Sequence, residues 1–309
     1  MDVSEYRVGE RIGRDSVVAL GFFDGVHVAH RRLLSAAADI AHRDGRELCV
    51  FTFPSESEHL KRDARRIYPT SVKLSLFASL GVDRVVLADF DAVADMSAQT
   101  FVSDVLVRDL GCAVAACGYN FRFSKGAGAD AQVLQMLLAA QGRTCHIEPP
   151  VCFEGRELSA TAIRAYLGEG AMDMAARALG APYRMVGVGE RGLGLGHRLG
   201  TPTVNLTLPP SFCQPKGGVY RCFARVEGVT YHALTNYGTC PTFGARPVHA
   251  ECWILDFDGD LYGKEVTVYF LGYLREERIF SSAEELKMQI NIDKNMTVTQ
   301  NPSPNGWQE

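Results

Sequence analysis

The chain has 309 residues, of which 47% are hydrophobic and 22% are charged, and its formal net charge is −4. This is the composition of an ordinary globular protein with room for two domains. The slightly acidic balance gives no reason to expect non-specific binding to nucleic acid, which needs a basic surface. Because no apolar run approaches about 18 residues and the N-terminus does not resemble a signal peptide, we expect neither membrane insertion nor export.

The chain contains nine cysteines and no CxxC pair. An odd number of cysteines cannot pair completely within one chain, and Cys49, Cys117 and Cys252 fall in apolar predicted strands. Reduced, buried thiols are typical of cytoplasmic proteins. We therefore predict a cytoplasmic protein without disulfides or a metal–thiolate site.

Residues 17–34 predict a strand, a tight turn and a helix. Residues 17–20 form a short apolar run typical of a buried parallel strand, and apolar residues then recur at helical spacing. A helix N-terminus at the end of a parallel strand favours a bound anion. The turn residues at this junction are Gly21, Asp24, Gly25, His27 and His30. Two imidazoles and two glycines at such a point predict a nucleotide-phosphate site.

The alternative for each imidazole is an ordinary turn or helix-cap residue. Two histidines spaced by three residues after a strand and a glycine turn favour the phosphate site. The spacing is not HExxH and no acidic residue lies between the two, so we expect no metal there. The glycines do not form GxGxxG, which argues against a dinucleotide-binding dehydrogenase.

Strands and helices alternate through the rest of the first half. Strands are predicted at residues 48–53, 84–87 and 113–117, and helices at residues 74–80, 101–110 and 132–140. This alternation predicts βαβ units and an α/β domain with a parallel sheet. Ligands bind such sheets at the carboxyl ends of the strands near the topological switch point, where we expect the histidine turn.

Two later segments would face the same sheet edge. Residues 118–130 follow a predicted strand and mix aromatic, basic and glycine residues, so a ligand-binding loop and a plain polar loop are equally supported. Residues 158–167 place Ser159 and Thr161 at a helix start, where hydroxyls are more often N-caps than ligands.

The period of the apolar pattern changes near Gly180, where a predicted helix ends. Short strands are then predicted at residues 185–188, 219–226, 230–236, 250–255 and 265–270. Their spacing predicts a small antiparallel β-barrel, followed by a helix over residues 283–292. We therefore predict domains at residues 1–180 and 181–295, and a disordered tail at residues 296–309.

Alternating glycines lead into a Pro-Thr-Val-Asn segment at the start of the second half. Gly192, Gly194 and Gly196 can turn consecutive N–H groups onto a phosphate, although a flexible hairpin is the alternative. The hydroxyl of Thr203 and the amide oxygen of Asn205 are hard ligands that suit Mg²⁺.

Taken together, these motifs resemble those of the bacterial bifunctional riboflavin kinase/FMN adenylyltransferases, or FAD synthetases. GFFDGVHVAH at residues 21–30 resembles the HxGH signature of the nucleotidylyltransferases. GYNFRFSKG at residues 118–126 resembles the family's GxDFRFGKG motif, and LSATAIR at residues 158–164 resembles its ISSTxIR motif. The glycine loop with PTVN at 202–205, NYGTCPTFG at 236–244 and LDFDGDLYGKE at 255–265 resemble riboflavin kinase motifs. The resemblance spans about residues 8–294.

The resemblance implies a Rossmann-like nucleotidylyltransferase domain joined to a riboflavin kinase-like barrel. Riboflavin and ATP would give FMN, and FMN and a second ATP would give FAD and pyrophosphate, with Mg²⁺ as the metal. Glu251 would be the general base of the kinase. His27 and His30 would donate hydrogen bonds to charge developing on the phosphates.

The resemblance also implies the binding residues. Those for ATP and its phosphates are Gly21, Phe22, Asp24, Gly25, Ser159, Thr161, Arg164, Gly192, Gly194, Gly196 and Thr203. Those for the flavin are Asn120, Phe121 and Phe123, whose two rings could bracket a planar ring, and the Mg²⁺ ligands are Thr203 and Asn205. The expected partners are thus riboflavin, FMN, FAD and ATP.

The chain departs from the family pattern mainly in its first half. Ala29 replaces a glycine, Asn120 an acid and Ala160 a serine, and the resemblance weakens over residues 55–66. Two alternatives follow. One is a monofunctional riboflavin kinase with a degenerate adenylyltransferase domain, and the other is a flavin or nucleotide sensor without turnover. A sensor would have no use for a base and a metal site together, which argues against the second.

Overall fold

The computed structural model describes residues 1–57, 65–189, 203–206, 209, 211–238, 249–261, 263–304 and 307. The chain divides into two compact units, Met1–Ala160 and Thr161–Glu309.

A six-stranded parallel sheet forms the centre of the first unit. Its strands are β1 (Asp2–Glu5), β2 (Ser16–Leu20), β3 (Glu47–Thr52), β4 (Arg84–Leu87), β5 (Cys112–Gly118) and β8 (Thr144–Glu148), in the order β1-β4-β3-β2-β5-β8. Two short hairpins follow β5 and β8, formed by β6 (Arg122–Phe123) with β7 (Ala129–Asp130) and by β9 (Cys152–Phe153) with β10 (Arg156–Glu157). The helices are α1 (Val28–Asp44), α2 (Thr70–Ser79), α3 (Phe90–Ala94), α4 (Ala98–Thr100), which continues as a π-helix over Phe101–Asp109, and α5 (Ala131–Ala139).

The central strand β2 has β3 on one side and β5 on the other, and all the pairings in this sheet are parallel. Every residue of β2 is buried, as expected for a strand covered on both faces. Because the chain builds outward from β2 in both directions, the topological switch point lies at its carboxyl end. The predicted α/β class is confirmed, and the histidine turn lies at that point.

An antiparallel barrel dominates the second unit, after helices α6 (Ala160–Glu169) and α7 (Met172–Leu179). Its strands are β11 (Tyr183–Val188), β12 (Thr203–Leu206), β13 (Gly218–Val226), β14 (Val229–Gly238), β15 (His249–Ile254) and β16 (Glu265–Arg275), in the order β11-β16-β13-β14-β15-β12. The edge strands β11 and β12 contact each other, so the sheet is nearly closed. Helix α8 (Ala283–Gln300) follows the barrel.

The division between the units falls before the expected boundary at Gly180. Helix α7 carries buried apolar residues and contacts β11 and β16 of the barrel. It ends at Gly180, whose φ of 80° places it in the left-handed region that glycine favours at helix ends. The glycine therefore ends a helix that already belongs to the second unit.

The C-terminal segment differs from the expected disordered tail. Helix α8 continues to Gln300, and Asn301 is buried. The Asn301 Oδ1 atom accepts from Arg221 at 2.9 Å, and its Nδ2 atom donates to the Cys222 carbonyl at 3.1 Å. The ring of Trp307 packs 4.8 Å from that of Tyr269. The expected disorder is wrong for residues 296–301, because specific partners on the barrel compensate for a polar composition.

Candidate active sites

The turn after β2 has an unusual backbone that its side chains stabilise. Phe23 adopts a left-handed conformation with φ 55°, which is costly for a residue with a side chain. Its ring is buried and meets the rings of Phe77 and His30 edge-on, at 5.6 Å and 5.2 Å. A Cβ on Gly21 would lie 3.1 Å from the Phe23 ring, so the glycine allows this close approach.

His27 and His30 lie together at the start of α1. His27 is the N-cap residue, and the two imidazole rings are stacked with centroids 3.6 Å apart. Both Nδ1 atoms are buried without a hydrogen-bond partner among the described residues. Burial lowers the pKa of His27 to about 4. Burial, together with His27 and the nearby Lys73 ammonium, lowers the pKa of His30 well below 6.5. Both imidazoles are therefore neutral at pH 7 and can act as hydrogen-bond donors.

Asp24 and Phe22 tie this turn to neighbouring segments. The buried carboxylate of Asp24 accepts from the Ile67 backbone N–H at 2.8 Å. The Phe22 carbonyl accepts from Lys73 Nζ at 2.9 Å and from Thr52 Oγ1 at 3.1 Å. The Arg66 guanidinium lies 4.8 Å from the centre of the Phe22 ring.

Sequence reasoning missed Lys73 and Arg66. Arg66 falls at the end of the stretch where the resemblance weakens, and both residues are buried. The available signal was a lysine at helical spacing from the buried Leu76 and Phe77, which predicts a charge on the apolar face of α2. Residues 58–64 of the same stretch lie outside the described residues.

The predicted flavin-binding residues follow β5. The rings of Phe121 and Phe123 are nearly parallel with centroids 5.6 Å apart, and Phe123 packs 5.4 Å from Phe101 in the core. Two rings that bracket a third need about 7 Å between them, twice the usual contact distance. The bracketing arrangement is therefore absent, and the two rings offer a single stacked surface. Asn120 is exposed beside them.

The predicted residues around the start of α6 fall on both sides of the division between the units. Ser159 belongs to the first unit, whereas Thr161 and Arg164 belong to the second. The Arg164 Nη2 atom donates to Thr161 Oγ1 at 3.0 Å. Arg164 is half-buried, and its carbonyl is 4.0 Å from Cys213 Sγ.

The barrel brings its predicted residues together through strand register. Asn205 on β12 pairs directly with Glu251 on β15, and Glu251 pairs on its other side with Asn236 on β14. Directly paired residues of an antiparallel sheet point to the same face, so the three polar side chains form one row. They are half-buried, whereas the adjacent row of Val204, Cys252 and Thr235 is fully buried. Glu251 thus lies on the face opposite the packed one.

Two further observations complete this row. Asn236 Nδ2 donates to the Glu277 carboxylate at 2.8 Å, and sequence reasoning had not assigned Glu277 a role. A Cβ on Gly238 would overlap the same carboxylate, so a larger residue there would require the Glu277 side chain to move. The backbone of Thr203 pairs with that of Trp253, two residues before Asn205 on β12. Gly192, Gly194 and Gly196 lie outside the described residues.

Each half of the chain matches a known protein family. Residues 10–162 match the family model described as FAD synthetase, and residues 179–300 match the one described as riboflavin kinase. A bifunctional riboflavin kinase/FMN adenylyltransferase from Pseudomonas fluorescens is 35% identical over 91% of both chains. One from Bacillus subtilis (strain 168) is 32% identical over 90% of both chains.

One solved structure aligns over almost the whole chain. It is the crystal structure of a protein from Streptococcus pneumoniae that is described as a macrolide-efflux protein. Its TM-score is 0.85 with 28% sequence identity, covering 98% of this chain and 100% of the other. Among the described helices, none has the length and apolar character needed to cross a membrane.

The parallel α/β unit with its histidine turn and the barrel with its polar row define a two-domain transferase. The chain belongs to the family of bifunctional riboflavin kinase/FMN adenylyltransferases.

Proposed function

We propose that the chain makes FAD in two ATP-dependent steps, one in each unit. The barrel unit phosphorylates riboflavin to FMN. The α/β unit then transfers the adenylyl group of a second ATP to FMN and releases pyrophosphate. Membership of the family supports both steps, and the direct pairing of Asn205 with Glu251 is the observation that carries the kinase assignment.

In the kinase step, Glu251 accepts a proton. Its carboxylate takes the proton of the ribityl 5′-hydroxyl as that oxygen attacks the γ-phosphorus of ATP, and the bond from the γ-phosphorus to the bridging oxygen breaks to release ADP. The half-buried position leaves the carboxylate accessible to a substrate, and the Asn236 amide beside it links this row to Glu277. The predicted role of the glycine loop, to cover the phosphates, remains part of this proposal.

Thr203 and Asn205 are the proposed Mg²⁺ ligands. Their hydroxyl and amide oxygens are hard donors, and the direct pairing of Asn205 with Glu251 supports the assignment. Bound Mg²⁺ would neutralise charge on the β- and γ-phosphates. The protein's own contribution is to hold Asn205 next to the base.

In the adenylyl transfer step, the FMN phosphate attacks the α-phosphorus of ATP. His27 and His30 donate hydrogen bonds to the charge that develops on the phosphates, and neither acts as the base. Their low pKa values support this role, because a neutral imidazole keeps an N–H to donate across the physiological range. We retain Asp24 and Ser159 as proposed ATP-binding residues of this unit, and the ATP-binding roles that the resemblance implies for Thr161 and Arg164 stay predictions from the sequence.

The backbone conformation of Ala29 supports the proposed adenylyl transfer. Ala29 replaces the glycine of the family motif, and a methyl group there would be strained if the backbone needed a positive φ. Ala29 lies inside α1 and is absent from the residues with positive φ. An ordinary helical conformation accommodates alanine without strain.

The reactions would occur in the cytoplasm. All eight cysteines of the described part of the chain are free thiols, as in a reducing compartment.

Two parallel incubations test the proposal. Purified protein is mixed with ATP and Mg²⁺, with either riboflavin or FMN as the flavin, and the flavins are separated by chromatography. We expect FMN and then FAD from riboflavin, and FAD from FMN. If riboflavin is converted only to FMN and added FMN gives no FAD, the protein is a monofunctional riboflavin kinase. If neither flavin is converted, the protein is a flavin or nucleotide sensor.

A further inference from the structure

Lys73 is a charged residue in the apolar core of the first unit. Its side chain is fully buried on the face of α2 that also carries Val72, Leu76 and Phe77. An apolar side chain would fill this position at lower cost, because burying an ammonium removes its hydration. The reason for a lysine at this position therefore lies in the groups that its charge and its N–H groups contact.

The ammonium joins the carboxyl ends of two neighbouring strands. Lys73 Nζ donates to the Phe22 carbonyl, just beyond β2, at 2.9 Å and to the Phe53 carbonyl, just beyond β3, at 3.0 Å. It also lies 4.5 Å from the centre of the Phe22 ring, within the range of a cation–π contact. The Phe22 carbonyl accepts a further bond from Thr52 Oγ1 on β3. The turn that leads to His27 is thus held near its start by α2 and by β3.

We propose that Lys73 is a positioning residue for adenylyl transfer, which holds the turn between β2 and α1 so that His27 and His30 meet the phosphates in a fixed orientation. It acts through the Phe22 carbonyl and not on the nucleotide itself. The inference rests on the adenylyl transfer proposed above for this unit. A misplacement of about 1 Å at a reacting centre can lower a rate by about 100-fold, so a tie of this kind has a measurable effect.

The charge of Lys73 has a second consequence for the histidines. The charged and titratable groups that act on Lys73 and His30 are Asp24, His27, Glu56 and Arg66. Burial lowers the pKa of Lys73 to about 8, so the amine is still largely protonated at neutral pH. Burial and His27 lower the pKa of His30, and the Lys73 ammonium lowers it further. Loss of the ammonium would therefore let His30 take up a proton at a higher pH.

The main variant is Lys73→Met, which removes the charge and both carbonyl bonds but keeps a long, unbranched side chain. We expect kcat for FAD formation from FMN and ATP to fall about 10- to 100-fold, with a smaller change in KM. Riboflavin kinase activity of the same chain should be unchanged. The His30 imidazole, followed by NMR, should titrate at a higher pH than in the parent. Lys73→Arg, which keeps a charged donor, should recover part of kcat.

Val72→Ala is the matched control. It removes buried apolar volume from the same helix, and an apolar side chain at this position donates no hydrogen bond to either carbonyl. It should lower the melting temperature, whereas kcat and the pH profile should stay the same as in the parent. The inference is overturned if Lys73→Met keeps the kcat and pH profile of the parent. It is also overturned if Val72→Ala loses as much kcat at equal loss of stability.

Thr52→Val keeps the test decisive if Lys73→Met does not fold. This nearly isosteric change removes only the other hydrogen bond to the Phe22 carbonyl, so kcat for FAD should fall by a smaller factor than in Lys73→Met. An unchanged kcat would contradict the positioning role. Failure of the parent protein to make FAD would contradict the proposed function instead.

Discussion

Asn205 and Glu251 lie directly opposite each other on β12 and β15, although they are far apart in the sequence. The pairing puts an amide oxygen suited to Mg²⁺ beside a carboxylate suited to proton transfer, on the half-buried face of the sheet. In the proposed kinase step, this is where the phosphate end of ATP and the attacking hydroxyl would meet.

Glu251→Gln should separate binding from chemistry in the kinase. The amide keeps the size of the side chain but cannot accept the hydroxyl proton, so FMN formation should fall by about 10²–10⁴-fold. ATP affinity should be nearly unchanged when measured by calorimetry. Phosphorylation of riboflavin at the parent rate would show that Glu251 is not the base.

Asn205→Ala and Thr203→Ala should raise the metal requirement of the kinase. Each removes one oxygen donor, so half-maximal FMN formation should need more Mg²⁺, by about 10-fold or more. FAD formation from added FMN serves as the internal control and should keep its own Mg²⁺ dependence. Unchanged Mg²⁺ titrations in both variants would exclude this pair as metal ligands.

His30→Ala should abolish most FAD formation from FMN. Loss of one hydrogen bond to developing charge lowers a rate by about 10²–10³-fold. Ala29→Gly should give an equal or faster rate, because alanine adopts the helical backbone there without strain. If the parent makes no FAD and Ala29→Gly restores FAD formation, the methyl group itself blocks the phosphates.

His27 should make the first unit less stable in acid. Its pKa is lowered from 6.5 to about 4 by burial, so between these values the unfolded chain binds more protons than the folded one. The free energy of unfolding therefore falls as the pH drops through this window, by about 3 kcal/mol for full protonation. Urea unfolding at pH 7, 5.5 and 4.5 should show that His27→Gln loses less unfolding free energy with falling pH than the parent does. Equal losses of unfolding free energy in the two proteins would mean that His27 titrates normally.

Asn301→Ala tests the packing of the C-terminal segment. It leaves the Arg221 guanidinium and the Cys222 carbonyl without their buried partner, which should cost the barrel about 1–3 kcal/mol of unfolding free energy. Asn295→Ala, at an exposed position of the same helix, is the matched control and should cost much less. Equal melting temperatures for the parent and Asn301→Ala would mean that this contact is not made in solution.

The sequence predicted the features that have local patterns. The apolar run and the glycines of residues 17–25 specify strand and turn, and the spacing of His27 and His30 follows from the helix that begins there. Alternation of strand and helix was enough for the α/β class. The six antiparallel strands were likewise indicated by short runs between turn residues, apart from β12.

The sequence could not predict contacts whose partners carry no residue signature. Lys73 bonds to two backbone carbonyls, which any residue could supply, so nothing distinguishes it from a surface lysine except its apolar neighbours. The pairing of Asn205 with Glu251 depends on register between distant strands. Residues 296–301 are polar in composition and are ordered through Asn301, whose partners lie on the barrel, where the Trp307 ring also packs.

The assignment of one step to each unit is tested by a complementation assay with Glu251→Gln and His30→Ala. Each variant is first checked separately: the former should make FAD only from added FMN, and the latter should convert riboflavin only to FMN. Mixed together with riboflavin, ATP and Mg²⁺, the two should make FAD, because FMN released by one is adenylylated by the other. FAD made from riboflavin by either variant alone at the parent rate would contradict that assignment.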